Sequence, residues 1–107
     1  MLFRSWEHEL IGWASMFGHQ MDAGGPLPGS LPTGAKTVFG EGLRIPPVKL
    51  FRKGVPNKDV FDLILNNVRQ PGMNRADLMG IVAGCRTAEK RVHELCGRFG
   101  KGTYLAA

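Results

Sequence analysis

At 107 residues the chain has room for one small domain with a modest core, and 14 Lys and Arg against 9 Asp and Glu give a formal charge of +5. The basic residues are scattered among the acidic ones, which excludes the basic block of a dedicated nucleic-acid binder, and no nucleic-acid partner is expected. No apolar run approaches the roughly 20 residues that span a bilayer, and "MLFRSWEHEL" carries charge too early for a secretory leader, so the reading is a cytoplasmic chain without a membrane partner.

Residues 9–18, "ELIGWASMFG", are apolar on both alternations and read as a strand buried on both faces that delivers His19 at its end. From Ala23 to Lys36 glycine and proline are too frequent for helix or a long central strand. A loop of this length, about fourteen residues, is usually functional or disordered. Pro46 and Pro47 impose extended backbone before them, "VKLF" is a candidate short strand, and Gly54 marks a turn. Asn57 then suits an N-cap, and Phe61, Ile64, Leu65 and Val68 recur at helical spacing, so residues 58–68 are predicted as an amphipathic helix ended by "RQPG".

Asn74 and Asp77 resemble a second helix start, followed by Leu78, Ile81, Val82, Cys85, Val92, Leu95, Cys96 and Phe99 near a 3.6-residue period. Gly97 and Gly100 are expected to close this helix after roughly twenty residues. Gly80 and Gly84 each cost it about 1 kcal/mol relative to alanine, which predicts close packing of another backbone there. Cys85 and Cys96, eleven positions apart on one helix, lie roughly 16 Å from each other and cannot form a disulfide. The class is α+β: a buried strand, a long Gly/Pro-rich loop and two C-terminal helices in one partial domain over residues 1–107. Those apolar faces need more cover than the chain supplies, so it reads as a slice of a larger mixed α/β subunit.

His19 and Asp22 form the pair of most chemical interest. Imidazole and carboxylate are ligands that Zn or Mn accepts, and "DAGG" permits the sharp turn that would aim both into one cavity. A third ligand is not evident nearby. The alternative is a core histidine beside an aspartate that opens the loop as an Asx turn. "GGPLPGS" has the glycine of an anion cradle without a phosphate-loop spacing, and Lys49, Arg52, Lys53 and Lys58 read as a solvated turn.

The order of these pieces is more specific than any one of them. "GHQMDAGGPLPGS", then "EGLRIPPVKLFRKGVPN", "NNVRQP" and "ADLMGIVAGCRTAEKRVHELCGRFG" resembles the hydantoinase B/oxoprolinase family, which includes the large subunits of acetone and acetophenone carboxylases. The resemblance runs from about Glu9 to about Gly100. It implies a part or short form of a large subunit that works with a hydantoinase A type partner and with the remainder of the hydantoinase B subunit. The implied activity is ATP-dependent hydrolytic opening of a cyclic amide such as hydantoin or 5-oxoproline, a small-molecule substrate, with ATP on the partner subunit. Two other readings are ATP-dependent ketone carboxylation and a non-catalytic remnant used as an assembly piece. It also implies a divalent metal, Mn or Zn, in the complete subunit, with His19 and Asp22 at the positions of its ligands. Where many members have a second histidine this chain has Gln20. Near the last helix Ala76, Gly80 and Ile81 stand where glycine, alanine and glutamine are usual, and the upstream region expected to supply further ligands is absent.

Overall fold

The computed structural model describes residues 2–107, and side chains from residue 6 onward. The class is α+β, with four short strands and three helices among the described residues: β1 (Leu2–Trp6), β2 (Glu9–Ala14), β3 (Phe51–Arg52), β4 (Val55–Pro56), α1 (Lys58–Leu65), α2 (Pro71–Phe99) and α3 (Lys101–Ala106). They fall into two compact units, residues 1–18 with 79–107, and residues 19–78.

In the first unit β1 and β2 form an antiparallel hairpin, with Trp6 opposite Glu9. Glu7 and His8 both take positive φ, the geometry of a two-residue turn whose twist matches the strands it joins. Between Arg4 and Ser5 the register shifts, because Arg4 faces Gly12 while Ser5 faces Leu10, leaving Ile11 as the extra residue of a bulge. This corrects the expectation of a strand buried on both faces. β2 is a hairpin arm that stops at Ala14, and its Leu10 and Trp13 are about half exposed. The apolar content of "ELIGWASMFG" describes surface that nothing in this chain covers. Strand structure does not reach His19 either, since residues 15–20 are irregular.

The helical part of this unit buries Cys85 and Cys96, both free thiols, as their spacing requires. The Cys85 thiol points at the Ala14 carbonyl, 3.9 Å away, and the Trp6 ring lies 5.4 Å from that of His93. Lys101 pairs with Glu9. Gly100, at φ 82°, separates α2 from α3, and its N–H bonds back to the Cys96 carbonyl at 2.9 Å.

α2 runs 29 residues, longer than the sequence predicts, because Pro71 begins it instead of only ending α1. Proline fits the first helical turn, where no N–H partner is available. Asn74 is thus inside the helix: buried, it bonds through its Nδ2 to the Gln70 carbonyl at 3.1 Å. The expectation for the two glycines is half met. A Cβ on Gly84 would lie 2.4 Å from Met16 Sδ, a side chain and not a backbone, while one on Gly80 would meet nothing within 4 Å. Gly80→Ala is therefore expected to raise stability by up to about 1 kcal/mol, and Gly84→Ala to gain less because Met16 must move. Equal gains in urea unfolding would show that Met16 does not occupy that face.

The second unit is built on α1. Phe61 (1% exposed) and Ile64 are its buried apolar side chains. The Phe51 ring meets Phe61 edge-on at 6.0 Å, and the Arg75 guanidinium lies 5.3 Å from the Phe61 ring centre. Only Phe51–Arg52 of the expected "VKLF" strand is paired, with Val55–Pro56 across the turn at Gly54. α1 ends at Leu65, three residues earlier than predicted, because the Asn66 and Asn67 side chains bond the Asp62 and Leu63 carbonyls, each at 2.7 Å. Asn57 does not cap α1; its amide bonds the Lys49 carbonyl instead. No helix among the described residues is long and apolar enough to cross a membrane.

Candidate functional site

The second unit gathers its polar groups around Asp22, which is 2% exposed. One carboxylate oxygen accepts the Gly24 N–H at 2.7 Å, closing an Asx turn. The other accepts the Gly29 N–H at 3.2 Å and Arg69 Nη1 at 2.8 Å. Arg69 continues into the loop, donating to the carbonyls of Leu27 at 3.2 Å and Gly25 at 2.6 Å. The Ser30 hydroxyl accepts the Ala23 N–H at 2.6 Å and donates to the Gly24 carbonyl at 2.8 Å. A loop whose composition forbids helix and sheet is thus held by side chains, which supply the partners that its buried backbone groups need. The Arg69 guanidinium and the Gly24 N–H hold the Asp22 carboxyl down at about 2, against the opposing effect of burial.

A second strand of chain crosses this loop. The Leu43 N–H bonds to the Ala23 carbonyl at 2.7 Å, and Gly24, Gly25 and Gly42 all have positive φ at the crossing. A Cβ on Gly24 would sit 2.6 Å from the Asn67 carbonyl oxygen, and one on Gly42 2.7 Å from that of Ala23. Glycine is required here by both backbone conformation and space.

Of the two residues singled out in the sequence, Asp22 is buried in this network and His19 is exposed. The donors present do not make up a divalent-metal site: Asp22 already serves two backbone N–H groups and a guanidinium, and no group of three His, Cys, Asp or Glu side chains converges among the described residues. Between them, Gln20 Oε1 is buried with no hydrogen-bond partner. Arg69 escaped the sequence reading. Its signal is indirect: a buried aspartate needs a cationic partner, and Arg69 stands in "NNVRQP" immediately before the proline that starts α2.

A glycine loop clasped to an arginine beyond a short helix, followed by one long helix, is the arrangement to compare with known proteins. The chain belongs to the Hydantoinase B/oxoprolinase family, whose profile matches residues 3–107. Among its relatives, the caprolactamase subunit beta of Pseudomonas jessenii is 40% identical over 92 residues, which cover 86% of this chain and 16% of that protein. The crystal structure of the ATP-dependent caprolactamase from Pseudomonas jessenii matches with a TM-score of 0.77 at 39% identity, over 83% of this chain and 15% of that one. The acetophenone carboxylase delta subunit of Aromatoleum aromaticum is 32% identical over 99 residues, covering 89% of this chain and 14% of that protein. The chain therefore spans a small part of the length of the relatives it matches.

Proposed function

We propose that this chain is a segment of a hydantoinase B type subunit that takes part in ATP-dependent hydrolytic opening of cyclic amides, with a hydantoinase A type partner binding ATP. The observation that carries the proposal is the similarity to a lactam-opening enzyme subunit, 40% identity over most of the chain. Identity to the ketone carboxylase subunit is lower, 32%, which favours the amide reading over carboxylation. Phe17, Leu31 and Phe39, at 93%, 80% and 78% exposure, support assembly with further segments of such a subunit, since a free-standing surface rarely displays so much aromatic and aliphatic area.

In that assembly the Asp22 network fixes the loop that faces substrate and partner backbone. His19 and Asp22 are proposed as metal ligands, for Mn or Zn, only in the complete subunit, where other segments supply the missing donors and Asp22 gives up part of its present bonding. Two experiments test these readings. Copurified with a hydantoinase A type subunit and the other segments, the chain is expected to support ATP hydrolysis that depends on a lactam, hydantoin or 5-oxoproline. Turnover with a ketone and bicarbonate alone would reject the amide reading. Elemental analysis of the same assembly is expected to find near-stoichiometric metal that His19→Ala removes; equal metal in the variant would reject the ligand role.

A further inference from the structure

The second unit also contains an open cleft of about 330 Å³, lined by Gly25, Phe39, Gly42, Leu43, Arg44 and Asn67. We infer that this cleft, formed where residues 23–25 cross residues 41–43, is a binding site for a small molecule that carries one carboxylate on an apolar, flat body. Its volume lies at the lower end of the range for small-molecule sites, about 300 to 1,000 Å³. The backbones of Gly25 and Gly42 approach closely on one side: a Cβ on Gly25 would stand only 3.3 Å from Gly42 Cα and from the Glu41 carbonyl. The Ala23 to Leu43 hydrogen bond and the Arg69 clasp hold that crossing in place.

The chemistry of the walls selects the ligand. Phe39 and Leu43 supply apolar surface, and 78% of Phe39 is exposed. The Arg44 guanidinium lies over the Phe39 ring, 4.6 Å from its centre, so its flat face is taken and its N–H edge is left to a ligand. No carboxylate pairs with Arg44 among the described residues. Asn67 adds its side-chain carbonyl as an acceptor, since its amide nitrogen bonds Leu63. One planar cation with apolar walls suits a monoanion; a polyphosphate would need several cations. A cyclic amide opened by water releases such a carboxylate, a link that rests on the proposed function, whereas the binding site does not.

Titration of the purified chain with benzoate, followed by backbone amide NMR, tests this without any turnover. Saturable shifts are expected at residues 25, 39, 42–44 and 67, with a dissociation constant in the millimolar range. Arg44→Gln, an exposed position whose variant keeps the fold by circular dichroism, is expected to weaken binding about tenfold or more, and the neutral isostere benzamide to bind correspondingly weakly. Phe39→Ala provides a second, independent loss. Unchanged affinity in Arg44→Gln, equal binding of benzamide, tighter binding of inorganic phosphate, or no saturable shift with benzoate would each overturn the inference.

Discussion

Asp22→Ala is expected to lower the midpoint of thermal unfolding by about 5 to 10 °C at neutral pH. The variant leaves the N–H groups of Gly24 and Gly29 without their acceptor and removes the anion that Arg69 clasps. Unmet buried donors are what make such a deletion severe, more than the loss of a favourable contact. Asp22→Asn, which retains an acceptor but no charge, is expected to fall between the two. The pH dependence follows from the depressed acidity. With a folded value of about 2 against an ordinary 3.8, the carboxylate contributes fully above the ordinary value, and its contribution is lost as pH falls through about 2. The gap in midpoint between parent and Asp22→Ala should therefore be wide at pH 5 and nearly closed at pH 2. A gap that stays constant over that interval would mean that the charge does not hold the loop.

What could be read beforehand was local, and what could not was long-range. Helical periodicity located α1 and the body of α2, and the spacing of Cys85 and Cys96 settled that they are free thiols. Both helix ends were misjudged at residues with two conformational roles: Pro71 stops one helix and starts the next, and Asn66 and Asn67 turn their amides back on α1. The pairing of β2 with β1 has no signature in "LFRSW", and apolar content alone does not separate a strand with two covered faces from one whose cover is supplied elsewhere. In the candidate site, the Asx-turn alternative for Asp22 is what the hydrogen bonds display. Its partner Arg69 lies 47 residues away, beyond the reach of any spacing argument. The family resemblance, by contrast, survived local errors because it rested on the order of several motifs across the chain.

Gly24→Ala is expected to destabilise the chain by about 3 kcal/mol or more, while Gly34→Ala changes stability by less than about 1 kcal/mol. The two glycines belong to the same loop and look equivalent in sequence. At Gly24 the backbone has φ +84°, where an L residue is strained by about 1 to 2 kcal/mol before any contact is counted. The added methyl would also stand 2.6 Å from the Asn67 carbonyl oxygen, and that atom is backbone, tied to the end of α1, so it cannot rotate away. Relief requires the loop to lift, and lifting it separates the Gly24 N–H from Asp22 and the Gly24 carbonyl from Ser30. Gly34 has neither positive φ nor any atom within 4 Å of the position a Cβ would take. Urea unfolding of the two variants measures the difference directly. Similar midpoints would show that residues 23–25 do not cross residues 41–43 as closely as described, and the cleft beside that crossing would lose its floor.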